Sequence, residues 1–179
     1  MEKLKQLVNW LPGSGLFRFL DRFQKSILIL ASALVFILTV ITVFMRYILK
    51  INVLGLDEVI LIVIFWLYFF GAAQGSKEDS QIKADMISTV AKNQMVIAVC
   101  HLIARIVECT VICVCIKWSV DYLIKDSAVM PYTVVLSLPL ILSHVAMLFG
   151  FLLMLLYHVY WLLVQIISVG DCWKGGSQP

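Results

Sequence analysis

A chain of 179 residues that is 62% hydrophobic and only 14% charged lies far outside soluble globular domains, where about 25% of residues are charged. The net charge of +3 comes from basic residues scattered around apolar stretches, with no aromatic-interleaved basic patch, which argues against nucleic acid as a partner. Apolar stretches near residues 27–45, 53–73, 95–118 and 132–167 match the ~20 residues a helix needs to cross the ~30 Å hydrocarbon core. The expected fold is therefore all-α: four transmembrane helices in one bundle and one membrane domain over residues 1–179.

Residues 1–25 read as an amphipathic interfacial segment. Leu4, Leu7, Val8 and Leu11 share one helical face, Pro12-Gly13-Ser14-Gly15 interrupt it, and Leu16, Phe19, Leu20 and Phe23 repeat the spacing. Ser14 is placed to cap the second helix, and Arg18, Asp21, Arg22 and Lys25 give it a polar face suited to lipid headgroups. The segment serves either as an elbow into the first span or as an arm for a partner. The apolar run that follows is too long for a signal core and ends in Arg46-Tyr47 where a small-residue cleavage site would stand, so it is expected to be retained.

The first span is expected over about residues 26–47. Span two covers about 55–74, with Asp57 and Glu58 in its first turn, where carboxylates favour the positive end of the helix dipole. Arg46 is then expected to pair with Asp57 or Glu58 across the short connector. Gly71 and Gly75 form a G-x-x-x-G pair that would let another helix approach closely, although Gly75 would equally serve as the stop of the span. A polar loop with Lys77, Glu78, Asp79, Lys83, Asp85 and Lys92 follows.

Span three, about 94–119, holds Cys100, Cys109, Cys113 and Cys115, and Cys172 lies in the tail. An odd cysteine count, mostly within one apolar helix, opposes a disulfide framework, and one helix cannot close a four-ligand metal site. These thiols read as apolar packing groups. The last apolar region would be about 57 Å as one helix at 1.5 Å per residue, so Pro139 is expected to break or kink it, leaving a span over about 138–164.

Lysine and arginine near the span ends give orientation. Nine lie in the N-terminal segment, the middle loop and the tail, against four in the other two connectors (Arg46, Lys50, Lys117 and Lys125). Both termini are expected to be cytoplasmic.

Span three carries the residues most costly to bury. His101, Arg105 and Glu108 fall on one stripe, expected near the bilayer centre, where a charged residue costs roughly 2.5–3.5 kcal/mol on insertion scales and must pair or face protein or water. Arg105 and Glu108 can pair at i,i+3. The stripe reads either as a polar seam that fixes helix register or as a proton or ion relay; a relay should continue across the membrane, and only His144 and His158 could extend it. Those two histidines also raise a haem-binding anchor, but His101 is the sole remaining histidine, enough for at most one bis-histidine site. Nucleophile elbows, zinc-spaced His/Glu pairs and phosphate-binding glycine loops are absent from the sequence, so no catalytic, cofactor, metal or substrate residue is assigned. A self-contained small channel or transporter remains as an alternative, although transporters usually use discontinuous helices in repeated halves.

Residues around span two carry a resemblance. Phe44-Met45-Arg46-Tyr47, Asp57-Glu58, Phe65-Trp66, Phe69-Phe70-Gly71-Ala72-Ala73 and Gln81-Ile82-Lys83-Ala84-Asp85, in that order, resemble the small membrane subunit (DctQ-like) of tripartite ATP-independent periplasmic (TRAP) transporters. Two departures stand out: Gly55-Leu56 where the family often has tryptophan before the acidic pair, and Gln81 where it has a loop histidine. The resemblance implies a bacterial inner-membrane protein that partners a large membrane subunit and a periplasmic solute-binding protein. It also implies that the substrate and sodium sites belong to the large subunit, with an organic anion as cargo. The implied role is to enlarge a fixed scaffold. The residues themselves offer Arg46, Asp57, Glu58, Gly71, Gly75, His101, Arg105 and Glu108 as candidates for helix packing or partner contacts. Phospholipids are expected to contact Leu16, Phe19, Leu20 and Phe23.

Overall fold

The computed structural model describes residues 15–51, 54–78 and 94–175. The Leu4 to Leu11 face, the break at residues 12–14 and the loop motif at 81–85 lie outside them. Four helices fill most of the described chain: α1 (Gly15–Tyr47), α2 (Leu54–Lys77), α3 (Gln94–Val129) and α4 (Ile141–Gly175). All four are long and apolar enough to cross a membrane. The described residues form no strand, only an isolated bridge between Tyr132 and Pro139.

Helix boundaries follow the punctuation of the sequence more closely than its hydropathy. No glycine or proline separates Leu16 from Tyr47, so the amphipathic stretch at residues 16–25 and the first span form one 33-residue helix, with no separate interfacial helix among the described residues. Span three likewise continues about ten residues beyond its expected end at 119, as far as Val129, because nothing in that stretch interrupts helical geometry. It stops where Met130 takes a left-handed φ of 46° ahead of Pro131, a position where proline disfavours the right-handed helical region. Pro139 breaks the last apolar region as expected: it lies in the connector, and α4 begins at Ile141 and runs past residue 164 to Gly175. Asp57 sits in the first turn of α2 as anticipated, but the helix runs through Gly75 to Lys77, so Gly75 is not its stop.

The packing order differs from the chain order. α1 lies along α2, α2 along α4, and α4 along α3, giving an open row α1–α2–α4–α3 in place of a closed bundle. The core sits around the two middle helices, where Ala73, Ile112, Met154 and Tyr157 are buried and Phe151, Leu153 and Ile116 pack against them. α1 and α3 hold the edges and turn long apolar faces outward, for example Leu30, Phe36 and Val40, and Ile103, Val107 and Val111. Lipid is as apolar as these side chains, so helix association there rests on packing and hydrogen bonds, and an open row carries no penalty of exposure. Because the helices alternate in direction, α1 and α3 begin on the side where α2 and α4 end. This is called the Gly15 side below, and the opposite one the Tyr47 side.

Candidate functional site

Of the buried polar side chains, Gln24, Asp126 and His158 make helix-to-helix contacts, while Ser76 and Ser119 bond to carbonyls of their own helices. On the Gly15 side, the Gln24 amide of α1 bridges two neighbours: its Nε2 donates to the Phe70 carbonyl of α2 at 2.9 Å, and its Oε1 accepts from the Tyr157 hydroxyl of α4 at 2.9 Å. Gln24 and Tyr157 are both fully buried, so each satisfies a group that would otherwise be stranded in an apolar interior. Phe17 closes the same junction, edge-on to the Tyr157 ring at 5.5 Å. Nearby, Asp21 is ion-paired with Lys77 at the end of α2 and with Lys25 at 3.2 Å. The Trp161 indole donates to the Lys77 carbonyl at 3.2 Å, and Gln165 Nε2 donates to the Ala98 carbonyl at 3.2 Å, tying α4 to α2 and α3.

The stripe on α3 forms in part. Arg105 Nη1 donates to Glu108 Oε2 at 3.0 Å, the i,i+3 pair foreseen from spacing. The third member is His158 of α4, whose Nε2 stands 3.5 Å from the same carboxylate oxygen. His101 lies a turn away and makes no side-chain hydrogen bond or ion pair among the described residues. His158 is 2% exposed, and its Nδ1 lies 2.9 Å from the Met154 carbonyl. A carbonyl only accepts, so Nδ1 carries a proton and Nε2 is the nitrogen turned to Glu108.

The cluster is not central. His158 is three residues, about 5 Å of helix, from Trp161, which marks the level where α2 ends. It therefore lies nearer the Gly15 side than the middle of α2, whose 24 residues are about 36 Å long. At that depth the long Arg105 stem can carry its charge toward the headgroups. Sequence spacing brought Arg105 and Glu108 together, but His158 could be joined to them only once α4 was packed on α3.

On the Tyr47 side, the expected pairing of Arg46 with Asp57 or Glu58 is replaced. Glu58 Oε1 and Oε2 accept the backbone N–H groups of Val135 and Leu136 at 2.8 and 2.9 Å, and Arg46 and Asp57 are exposed, with no ion pair among the described residues. The α3–α4 connector folds over the start of α2 and offers unpaired N–H donors there, which compete successfully with a flexible surface arginine. One turn further in, His144 Nδ1 contacts Asp126 Oδ2 across the α3–α4 junction, with the Tyr122 ring stacked on the imidazole at 5.7 Å.

A close small-residue contact forms at Gly150. A Cβ at Gly71 would meet Leu28 Cδ2 at 3.7 Å, an ordinary contact, whereas one at Gly150 would lie 2.6 Å from Phe69 Cβ and 3.1 Å from the Phe69 carbonyl oxygen. The close approach thus joins α4 to α2 through a glycine outside any G-x-x-x-G pair. Two outward grooves, one along Phe36, Val40, Phe44 and Tyr47 and one along Ile64, Phe65, Tyr68 and Phe69, are apolar and bring no set of polar groups to one point, as an anion site would need. Among the described residues no three His, Cys, Asp or Glu side chains converge as metal ligands do.

Buried polar side chains that join helices, beside grooves that are apolar, suit an auxiliary membrane subunit. The family model for the DctQ component of tripartite ATP-independent periplasmic transporters matches residues 35–167. The chain belongs to the DctQ family. Comparison with curated proteins gives no significant match. DctQ proteins are transporter subunits and not enzymes, they work with a large TRAP membrane subunit and a periplasmic binding protein, and the four apolar helices make this one a multi-pass protein of the bacterial inner membrane.

Within this DctQ chain the residues of the resemblance mark two levels. Arg46-Tyr47 end α1, Asp57-Glu58 open α2, and Phe69-Phe70-Gly71 lie where α2 meets α4 and α1. Asp21 and Gln24 precede the matched stretch. Of the proposed membrane-surface residues, Phe19 and Phe23 are exposed on the first turns of α1 with their rings stacked at 6.2 Å, and Leu20 is half-buried. The Leu16 side chain lies outside the described residues.

Proposed function

We propose that this DctQ chain is the scaffold partner of a large sodium-coupled TRAP subunit in the uptake of an organic anion such as a carboxylate or sialic acid. The observation that carries the proposal is the family match over residues 35–167, and the helix-to-helix contacts of Gln24, Tyr157 and His158 support it. The sodium and substrate sites then belong to the large subunit, and a periplasmic binding protein delivers the cargo. The orientation that fits has both termini in the cytoplasm. Arg18, Arg22, Lys25 and Lys77 on the Gly15 side support it, since basic residues accumulate on cytoplasmic flanks.

Phe19, Phe23 and the outward faces of α1 and α3 are assigned to lipid or to the large subunit. Gln24, Arg105, Glu108, Tyr157 and His158 keep the row rigid enough to serve as a fixed platform. The test is reconstitution in liposomes of this chain alone, the large subunit alone, and both together with the binding protein, under a sodium gradient. Uptake that requires this chain together with the other two components is the expected result. Solute-specific flux through this chain by itself would overturn the proposal in favour of a self-contained transporter.

A further inference from the structure

The connector between α3 and α4 does not look like a loop made for water. The stretch from Ser127 to Ser143 that contains it carries no charged residue, and mostly apolar side chains point outward: Val134 is 95% exposed and Val129, at the end of α3, 77%, with Met130, Tyr132, Val135, Leu136 and the small Ser137 also exposed. Its backbone, in contrast, is largely bonded within the protein. Thr133 N–H donates to the Leu138 carbonyl at 2.9 Å, Leu140 N–H to the Pro131 carbonyl at 3.0 Å and Met130 N–H to the Asp126 carbonyl at 2.7 Å. Leu138 N–H donates to Thr133 Oγ1 at 2.9 Å. Pro131 and Pro139 have no N–H to satisfy. Two further donors, on Val135 and Leu136, are taken by the Glu58 carboxylate of α2. A water-facing loop has no need to satisfy most of its donors within the protein or to display mostly apolar side chains, but a segment at the edge of the lipid gains from both.

Its depth follows from what it touches. α2 has 24 residues, about 36 Å, barely more than the ~30 Å hydrocarbon core, so its first turn lies at one membrane boundary. The connector packs on that turn, where a Cβ at Gly55 would meet Leu136 Cγ at 2.9 Å. Exposed Asp57 and Lys125 flank it, as charges at headgroup level do, and Tyr132 is of the residue type enriched there. We infer that the 130–140 connector is a preformed apolar hairpin seated in the headgroup and acyl boundary of the bilayer on the Tyr47 side, held there by Glu58. Its occupant is lipid, and the inference stands on membrane residence, independent of the transport reading.

The test uses the full chain with its cysteines replaced, in vesicles of phosphatidylethanolamine and phosphatidylglycerol, with a nitroxide attached at Val134→Cys. Collision with oxygen, which concentrates in lipid, is compared with collision with a water-soluble nickel chelate. Glu78→Cys supplies the water reference and Phe36→Cys, on the outward face of α1, the lipid reference. The oxygen-to-nickel ratio at position 134 is expected to exceed the water reference several-fold and to fall short of the lipid reference. A ratio equal to the water reference overturns the inference. So does a label shielded from both reagents once the large subunit is added, because the cover is then protein. If Val134→Cys does not fold, the same label at Val129→Cys gives the same reading.

Discussion

Gly150 offers the sharpest test of the packing. Replacing it with alanine puts a methyl carbon 2.6 Å from Phe69 Cβ and 3.1 Å from the Phe69 carbonyl oxygen, about 1 Å short of the ~3.5–4.0 Å of a good carbon contact. Both obstacles are fixed to the α2 backbone, so no rotamer change relieves the clash and the two middle helices must part. Overpacking of this kind costs about 1–3 kcal/mol, and the gain in helix propensity on losing glycine returns at most about 1 kcal/mol. Net destabilisation of about 1 kcal/mol is expected. Gly71→Ala is the matched control, because its new methyl meets only Leu28 Cδ2 at 3.7 Å and the propensity gain stands. Reversible unfolding of the two variants in mixed detergent, followed by circular dichroism, should therefore separate them by about 2 kcal/mol with opposite signs relative to the parent. A Gly150→Ala chain as stable as Gly71→Ala would refute the placement of the α2–α4 contact.

Other expectations follow from the polar contacts. In a double-mutant cycle, Gln24→Leu and Tyr157→Phe should show a coupling of about 0.6 kcal/mol, the average for hydrogen bonds between membrane helices, and strictly additive losses would deny the three-helix junction. Arg105→Leu and His158→Leu should each lower the thermal midpoint in detergent and the yield of complex, while His101→Leu stays within about 0.5 kcal/mol of the parent; equal effects at all three positions would restore the simple α3 stripe. Arg46→Glu should leave stability unchanged, and Glu58→Ala should speed deuterium uptake at the Val135 and Leu136 amides; loss of stability on Arg46→Glu that is rescued by Glu58→Lys would reinstate the pairing across the first connector.

The elements read correctly from sequence are those fixed by local rules. Hydropathy over about 20 residues set the number of spans, Pro139 stopped the last apolar region from forming one helix, and i,i+3 spacing joined Arg105 to Glu108. The ordered motifs around α2 also carried the family, now met by the match over residues 35–167. Each depends on residues close in the chain or on the solvent, and neither requires knowing which helix lies beside which.

Neighbours are what the tertiary structure decided. Apolar faces look alike whether they meet lipid or another helix, so the sequence held no sign that α2 and α4 form the middle of an open row. From that order follow the glycine at the α2–α4 contact, Gly150, the histidine that reaches Glu108, His158, and the partner of Glu58, a connector's backbone in place of Arg46. A backbone donor and a glycine's missing methyl leave no mark in a residue pattern. They gain meaning only when a distant segment is brought against them.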